Sequence, residues 1–112
     1  MVEILAIVRR NRATATKAEL ARIGCGGYSV WPVLGRGRQR GLQGQGGKGA
    51  FSFLPKVCVD LVVEDELAQE AIEAVIRANQ TSDFGDGRIF VLEISGAYRI
   101  STGERTPSEV TA

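Results

Sequence analysis

The sequence contains no histidine, and that absence excludes several kinds of function. Without imidazole there is no histidine general base, no histidine-activated nucleophile and little scope for a transition-metal site. The two cysteines, Cys25 and Cys58, have no motif spacing, which predicts small apolar fillers in a reduced, cytoplasmic protein. No apolar run approaches the ~20 residues of a transmembrane helix. The run at residues 2–8 has arginines after it rather than before it, so it indicates a buried strand instead of a signal peptide.

Acidic residues are scarce in the first part of the chain. Residues 1–48 hold nine Lys/Arg and two Asp/Glu, whereas residues 49–112 hold five and eleven. A basic half favours an anionic partner, but the net charge of +1 argues against general polyanion binding. Faces of opposite sign that meet between subunits explain the asymmetry equally well. The length of 112 residues predicts a single domain.

Runs of apolar, β-branched and aromatic residues predict four strands, and helical patterns between them predict two helices. Thr16 and Glu19 have the spacing of a capping box for the first helix, although Asn11 or Thr14 would also serve as its cap. Gly24 follows the last apolar residue of that helix, where a left-handed residue is common. The predicted strands are 2–8, 28–34, 57–63 and 88–94, the helices are 13–23 and 64 to 78 or 79, a short fifth strand covers 97–100, and the chain is frayed from 102.

The order of these elements is the doubled β-α-β pattern of a ferredoxin-like fold. The predicted fold class is therefore α+β, a βαββαβ sandwich with an antiparallel sheet and both helices on one face. Pro32 lacks an N–H, so its strand should lie at an edge or contain a bulge. The face of the sheet away from the helices is apolar, so we expect the chain to oligomerise through its sheets.

A segment dense in glycine and arginine follows the second strand and opens a long loop from Arg36 to about Phe53. Glycines let the backbone approach a ligand closely, and arginines donate paired hydrogen bonds to phosphate oxygens. A loop of this length inside a compact domain is often functional, although a solvated excursion fits the same composition. The segment therefore indicates an oligoanion site, an arginine–glycine RNA-binding segment or a flexible loop.

Four motifs occur in order along the chain and together resemble the P-II family of nitrogen-regulatory signalling proteins. The resemblance covers nearly the whole chain, as a single P-II-like domain over 1–112 with a flexible loop at about 37–54 and a tail at about 103–112. The motifs are Gly35-x-Gly37-Arg38-Gln39-x-Gly41, Phe53-Leu54-Pro55-Lys56, Gln80-Thr81 with Gly85-Asp86-Gly87-Arg88-Ile89-Phe90, and Arg99 with Thr102-Gly103-Glu104.

The resemblance implies a homotrimer that is not an enzyme and that binds ATP or ADP in the clefts between subunits. It places Ser29 and Val62 near adenine and Asp60 near ribose. It also implies that residues 85–88 reach the phosphates from the adjoining subunit. The implied ATP/ADP-binding residues are Ser29, Gly35, Arg36, Gly37, Arg38, Gln39, Asp60, Val62, Thr81, Gly85, Asp86, Gly87, Arg88 and Arg99.

The resemblance further implies that 2-oxoglutarate binds beside Mg²⁺ and ATP, at Gly37, Gln39, Gly41 and Lys56. Gln39 is the implied protein ligand of Mg²⁺, and Lys56 is the implied partner of a carboxylate of 2-oxoglutarate. The long loop is implied to contact a target: nitrogenase, an ammonium transporter, or another protein of nitrogen or carbon metabolism. No nucleic acid is expected, and a membrane is expected only indirectly, through a transporter.

The chain also departs from the family pattern. Its long loop has no tyrosine, so control by uridylylation there is not expected, and Ser101 replaces a second arginine that the family often has. The tyrosine-free loop and the Ala78-Asn79-Gln80-Thr81 motif resemble the nitrogenase-associated members. Alternatives are a regulator of a transporter or carbon-uptake system that responds to nucleotides without 2-oxoglutarate, an RNA-recognition module and a small hydrolase. The first and third strands lack the aromatic residues of an RNA module, and no nucleophile–base cluster indicates a hydrolase.

Overall fold

The structure is a computed structural model that describes residues 1–36 and 53–106, with its strands and helices in the predicted order. The four strands form one antiparallel sheet in the order β2-β3-β1-β4, which is the predicted ferredoxin-like fold. No helix in these two ranges is long and apolar enough to cross a membrane. The strands are β1 Val2–Arg9, β2 Ser29–Gly35, β3 Leu54–Val63 and β4 Gly87–Glu93, and the helices are α1 Ala13–Arg22 and α2 Asp65–Asn79.

The two helices pack on one face of the sheet. Every second residue of β1 is buried there, namely Ile4, Ala6 and Val8, and alternate residues of β3 join the same core. Leu20 of α1 and Val75 of α2 complete this core at 0% and 1% exposure. The alternate core residues of β1 and β3 thus meet the apolar face of α2, whose helical spacing the sequence predicted.

The opposite face of the sheet has no helix on it among the described residues, and we call it the open face. It consists of the alternate residues that the core leaves out: Glu3, Leu5 and Ile7 of β1, Lys56, Cys58, Asp60 and Val62 of β3, and their neighbours on β2 and β4. Trp31, Phe90 and Leu92 on this face are 40–46% exposed. These exposed apolar side chains favour association with other copies of the chain.

Several local predictions were wrong. Helix α1 begins without a side-chain cap, and Thr16 instead bonds back to the carbonyl oxygen of Arg12 at 2.7 Å, so the predicted capping box does not form. Strand β3 begins at Leu54 rather than at residue 57, because it follows β2 along its whole length. The predicted fifth strand is reduced to one bridge between Tyr98 and Arg105, which also shows that residues 102–106 are not frayed.

Other local predictions were confirmed. Gly24 has a φ of 82°, the left-handed value expected just after α1. Pro32 lies in β2, which is an edge strand because it pairs only with β3. Helix α2 begins at Asp65, one residue after its predicted start, and ends at Asn79, one of its two predicted ends. The predicted loop at about 37–54 falls outside the described residues up to residue 52, as does the predicted tail from residue 107.

Two carboxyl groups meet on the open face. Glu3 and Asp60 lie diagonally across β1 and β3, and the hydrogen bond between them raises the pKa of Glu3, with burial adding to the effect. A carboxyl whose pKa is raised on folding stabilises the fold below its unfolded pKa. That contribution is lost as the pH rises through the folded pKa.

Replacing Glu3 with glutamine should therefore raise stability at pH 7 by ~0.2–1 kcal/mol, the scale of one cross-strand pair. An amide keeps the hydrogen bond but removes the like charge. The gain should shrink as the pH falls below the pKa of Glu3, because the native side chain is then protonated as well. Urea unfolding of both proteins between pH 4 and 8 checks this, and a constant difference across that range would contradict it.

Candidate functional site

A cavity of about 490 Å³ opens where β2 ends and β4 begins, on the open face of the sheet. Three cations and two carboxylates lie among its residues, so the described lining has an excess of positive charge. Most of these positions were predicted from the sequence to be ligand-binding. The predicted residues that the structure brings together here are Gly35, Arg36, Lys56, Gly85, Asp86, Gly87 and Arg88.

The connection between α2 and β4, residues 80–86, forms one wall of this cavity, and we call it the 80–86 turn. Ser82 and Gly85 have φ values of 72° and 94°, so the backbone reverses tightly there. Gly87 follows with a φ of 116°, and a Cβ atom on it would lie 2.0 Å from the carbonyl oxygen of Ile7. Only glycine fits where β4 joins β1 beside the cavity.

Asp86 organises the 80–86 turn. Its Oδ2 accepts hydrogen bonds from the backbone N–H groups of Thr81 at 2.7 Å and Ser82 at 3.0 Å. Its Oδ1 accepts from the Thr81 hydroxyl and from Arg9 Nη1, the latter at 2.8 Å. The hydrogen bonds from Thr81, joined by those from Ser82 and by the charge of Arg9, lower the pKa of Asp86 to about 2. Asp86 is therefore ionised at neutral pH.

Lys56 fixes the other side of the same turn. Lys56 is only 7% exposed, and its Nζ donates a hydrogen bond to the carbonyl oxygen of Gly85 at 2.9 Å. Burial lowers the pKa of Lys56, and the nearby charge of Arg9 lowers it further. A buried ammonium that is partnered by a neutral carbonyl favours an anion beside it.

A second group of predicted residues lies at the other end of the sheet. Ser29 pairs with Asp60, and Val62 follows two residues later, so these positions are about 13–20 Å along β3 from Lys56 at ~3.3 Å per residue. The segment that carries Arg99 leaves β4 at that end, because Ile94 donates its N–H to the carbonyl oxygen of Met1. The structure thus separates the predicted site into two groups.

One implied arrangement concerns residues 85–88. The resemblance implied that they reach the site from the adjoining subunit, whereas within this chain they lie beside Gly35 and Arg36. Sheet order explains this proximity, because β1 and β3 bring the end of β2 and the start of β4 to the same end of one sheet.

Some predicted residues cannot be located, and one residue was missed. Gly37, Arg38, Gln39 and Gly41 lie outside the described residues. The missed residue is Arg9, because it is one of three closely spaced arginines and no motif separates it from Arg10 and Arg12. Its role depends on a contact with Asp86, 77 residues away in the chain.

The donors around this cavity fit a phosphate-bearing ligand. Arginine and lysine side chains, together with glycine backbone at the 80–86 turn, are the groups that phosphate oxygens commonly accept from. Within residues 1–36 and 53–106, no cluster of three or more cysteine, aspartate or glutamate side chains could hold a metal ion.

Comparison with known proteins gives one consistent result. The family model for "Nitrogen regulatory protein P-II" matches residues 1–104. The "Nitrogen regulatory protein P-II" of Rhodospirillum rubrum is 44% identical over 94% of this chain and 96% of its own length. The "Nitrogen fixation nifHD1 region GlnB-like protein 2" of Methanosarcina barkeri is 37% identical over 94% of this chain and 95% of its own length. "Nitrogen regulatory protein P-II 2" of Methanothermobacter thermautotrophicus is 39% identical, over 93% and 92%.

The chain thus has a ferredoxin-like fold with a cavity beside the 80–86 turn, and its sequence matches nitrogen regulatory proteins along nearly its whole length. The chain belongs to the P-II family of nitrogen regulatory proteins. Proteins of this family are regulatory signalling proteins rather than enzymes, so the chain is a regulator. The family assignment therefore replaces the two other hypotheses, an RNA-recognition module and a small hydrolase.

Proposed function

We propose that the chain is a cytoplasmic signalling regulator that binds ATP and ADP at the cavity beside the 80–86 turn. The observation that carries this proposal is the convergence of Gly35, Arg36, Lys56 and residues 85–88 on one positively charged cavity. Backbone N–H groups and fixed cations favour the phosphates of a nucleotide over neutral ligands. Arg38, which follows Gly37 in the sequence, adds a further cation in this proposal.

The complete site forms between copies of the chain in a homotrimer. In one chain, the residues for phosphate and the residues for adenine lie at opposite ends of the sheet. A neighbour that packs against the open face brings its Ser29, Asp60 and Val62 toward the cavity of the first copy. Burial of Trp31, Phe90 and Leu92 in the same interface stabilises the assembly.

2-Oxoglutarate and Mg²⁺ extend this site. Lys56 is the protein cation for a carboxylate of 2-oxoglutarate, since its buried ammonium bonds to a backbone carbonyl and retains donors. Gln39 supplies an amide oxygen to Mg²⁺, and the nucleotide phosphates supply others, which is the usual arrangement for this ion. Gly37 and Gly41 leave room for the ligand next to the backbone.

The output of the regulator is a contact between the loop at residues 37–52 and a target protein. Nitrogenase is the first candidate, supported by relatives from Methanosarcina barkeri and Methanobacterium ivanovii whose names place them in nitrogen fixation regions. An ammonium transporter or a carbon-uptake system is the alternative target, and it is the only route to a membrane in this proposal. Binding to purified nitrogenase components, with and without ATP and 2-oxoglutarate, distinguishes these targets.

Calorimetry tests the nucleotide site directly. We expect ATP and ADP to bind with micromolar dissociation constants, near −8 kcal/mol on the standard scale. Replacing both Arg38 and Arg88 with alanine should abolish this heat, because each removes a cation from the phosphate region. Lys17→Ala, on the exposed side of α1, is the matched control and should bind normally. Absence of heat with the unsubstituted protein contradicts the proposal.

The same experiment tests 2-oxoglutarate binding. Heat from 2-oxoglutarate should appear only when ATP and Mg²⁺ are both present, because the ion links the two ligands. Equal binding without either component contradicts the proposed link. If nucleotides bind and 2-oxoglutarate never does, the chain is a regulator that responds to adenine nucleotides alone.

A further inference from the structure

Two cations anchor the 80–86 turn from underneath, one from each central strand. Arg9, the last residue of β1, donates from Nη1 to Asp86 Oδ1 at 2.8 Å and from Nη2 to the carbonyl oxygen of Phe84 at 2.9 Å. Lys56, its partner across β1 and β3, donates to the carbonyl oxygen of Gly85 at 2.9 Å. Three successive residues of the turn are thus tied to the sheet.

The carboxylate of Asp86 has no acceptor capacity left for a ligand. An ionised carboxylate offers about four acceptor positions. All four are used in the structure: the Thr81 hydroxyl and Arg9 occupy Oδ1, and the N–H groups of Thr81 and Ser82 occupy Oδ2. A negative charge next to the cavity also repels phosphate, so contact with Asp86 does not favour a nucleotide.

Arg9 itself lies outside the lining of the cavity, whereas Asp86 is part of that lining. The Arg9–Asp86 ion pair is partly shielded from water, with the two side chains 30% and 21% exposed. Arg9 therefore affects the cavity in two ways, although it is not part of the lining. Its hydrogen bonds hold the shape of the turn. Its positive charge balances the negative charge of Asp86, the carboxylate that the turn requires for its own hydrogen bonds.

We propose that Arg9 is a positioning residue for the phosphate-binding turn, and that Asp86 acts through its bonds to Arg9, Thr81 and Ser82 rather than by contact with the ligand. This inference rests on the proposed nucleotide site and replaces the ligand contact that the resemblance implied for Asp86. The anion affinity of the cavity then depends on a residue at the end of β1 that makes no contact with the anion.

A double-mutant cycle of Arg9→Gln and Asp86→Asn tests this assignment. The single variants and the double variant are titrated with ATP and with ADP by calorimetry. Arg9→Gln should weaken binding about tenfold, the scale of a lost hydrogen bond to a charged group. In the Asp86→Asn background the same change should weaken binding less than about twofold, because residues in one network do not act additively.

Two further variants separate positioning from general damage. Arg9→Lys keeps the positive charge but loses the guanidinium group, which donates to both Asp86 and the carbonyl oxygen of Phe84. It should recover part of the affinity lost in Arg9→Gln. Arg10→Gln changes the adjacent, exposed arginine and should bind as the unsubstituted protein does. Equal losses from Arg9→Gln with and without Asp86→Asn overturn the inference, as does an equal loss from Arg10→Gln.

Amide hydrogen exchange on the ligand-free protein gives a readout that needs no nucleotide. The N–H groups of Thr81 and Ser82 should exchange faster in Arg9→Gln, because their acceptor is then less firmly held. Exchange in α1 should not change. If the unsubstituted protein binds no nucleotide, the proposed function fails, while faster exchange at Thr81 and Ser82 still shows that Arg9 positions the turn. Unchanged exchange at these two amides overturns the inference.

Discussion

Replacing Gly87 with alanine is expected to destabilise the protein by about 2–5 kcal/mol and to remove nucleotide binding at the cavity. The backbone at Gly87 has a φ of 116°, and the added Cβ atom would lie 2.0 Å from the carbonyl oxygen of Ile7. Relief of that contact requires β4 to move away from the end of β1. The 80–86 turn would move with it, because Gly87 follows the turn directly.

Gly24→Ala is the matched control for this prediction. Gly24 also has a positive φ, of 82°, but an added Cβ atom meets nothing within 4 Å. The control therefore isolates the backbone strain, about 1–2 kcal/mol, and should leave nucleotide affinity unchanged. Chemical denaturation with calorimetry of both variants makes the comparison. Equal stabilities for the two variants would contradict the steric account of Gly87.

Replacing Thr16 with valine should cost about 1–3 kcal/mol, even though the shape of the side chain hardly changes. Thr16 is fully buried, and its hydroxyl accepts a hydrogen bond from Asn79 Nδ2 at 2.9 Å while it donates to the carbonyl oxygen of Arg12. This is the buried polar link between α1 and α2. Valine would leave the side-chain NH₂ group of Asn79 with one hydrogen-bond partner, the carbonyl oxygen of Val75.

The same reasoning predicts coupling between the two buried side chains. Asn79→Ala alone should be destabilising, and the Thr16→Val/Asn79→Ala double variant should be more stable than the sum of the single effects by about 1 kcal/mol. Thr14→Val makes the same chemical change on the exposed side of α1 and should alter stability by less than about 0.5 kcal/mol. Additive effects in urea unfolding would contradict a direct link between Thr16 and Asn79.

The fold was predictable because its elements have strong local signals. The apolar runs of β1 and β3 and the helical spacing in α2 are such signals, and the structure has these elements where they were predicted, apart from an earlier start of β3. Gly24 and Pro32 also behave as local chemistry predicts, since a positive φ and a missing N–H constrain the backbone at a single residue.

The errors arose where a distant contact outweighs a local pattern. Thr16 has the spacing of a cap, yet it is buried against Asn79, 63 residues later, and its hydroxyl is used inside the helix. The short fifth strand was predicted at residues 97–100, but in the described chain it is one bridge between Tyr98 and Arg105, beside backbone hydrogen bonds of Ala97 and Arg99 to the segment that follows.

The site was predictable in its residue types but not in its arrangement. Glycines and arginines after β2 indicated an anion site, and the resemblance added Lys56 and residues 85–88, so that seven of the implied positions line one cavity. A second group of implied positions lies at the far end of the sheet, and that division depends on strand order, which no short motif encodes. The position of Arg9 beneath the turn likewise depends on the pairing of β1 with β3 and β4.

Native mass spectrometry of the protein with ATP tests the central claim most directly, because it counts chains and nucleotides in the same particle. The claim is that the cavity beside the 80–86 turn becomes a nucleotide site when copies of the chain meet. The expected result is a trimer that carries up to three nucleotides, with no nucleotide retained by the monomer. A monomer that retains ATP as well as the trimer does, or a trimer that retains none, would contradict the account.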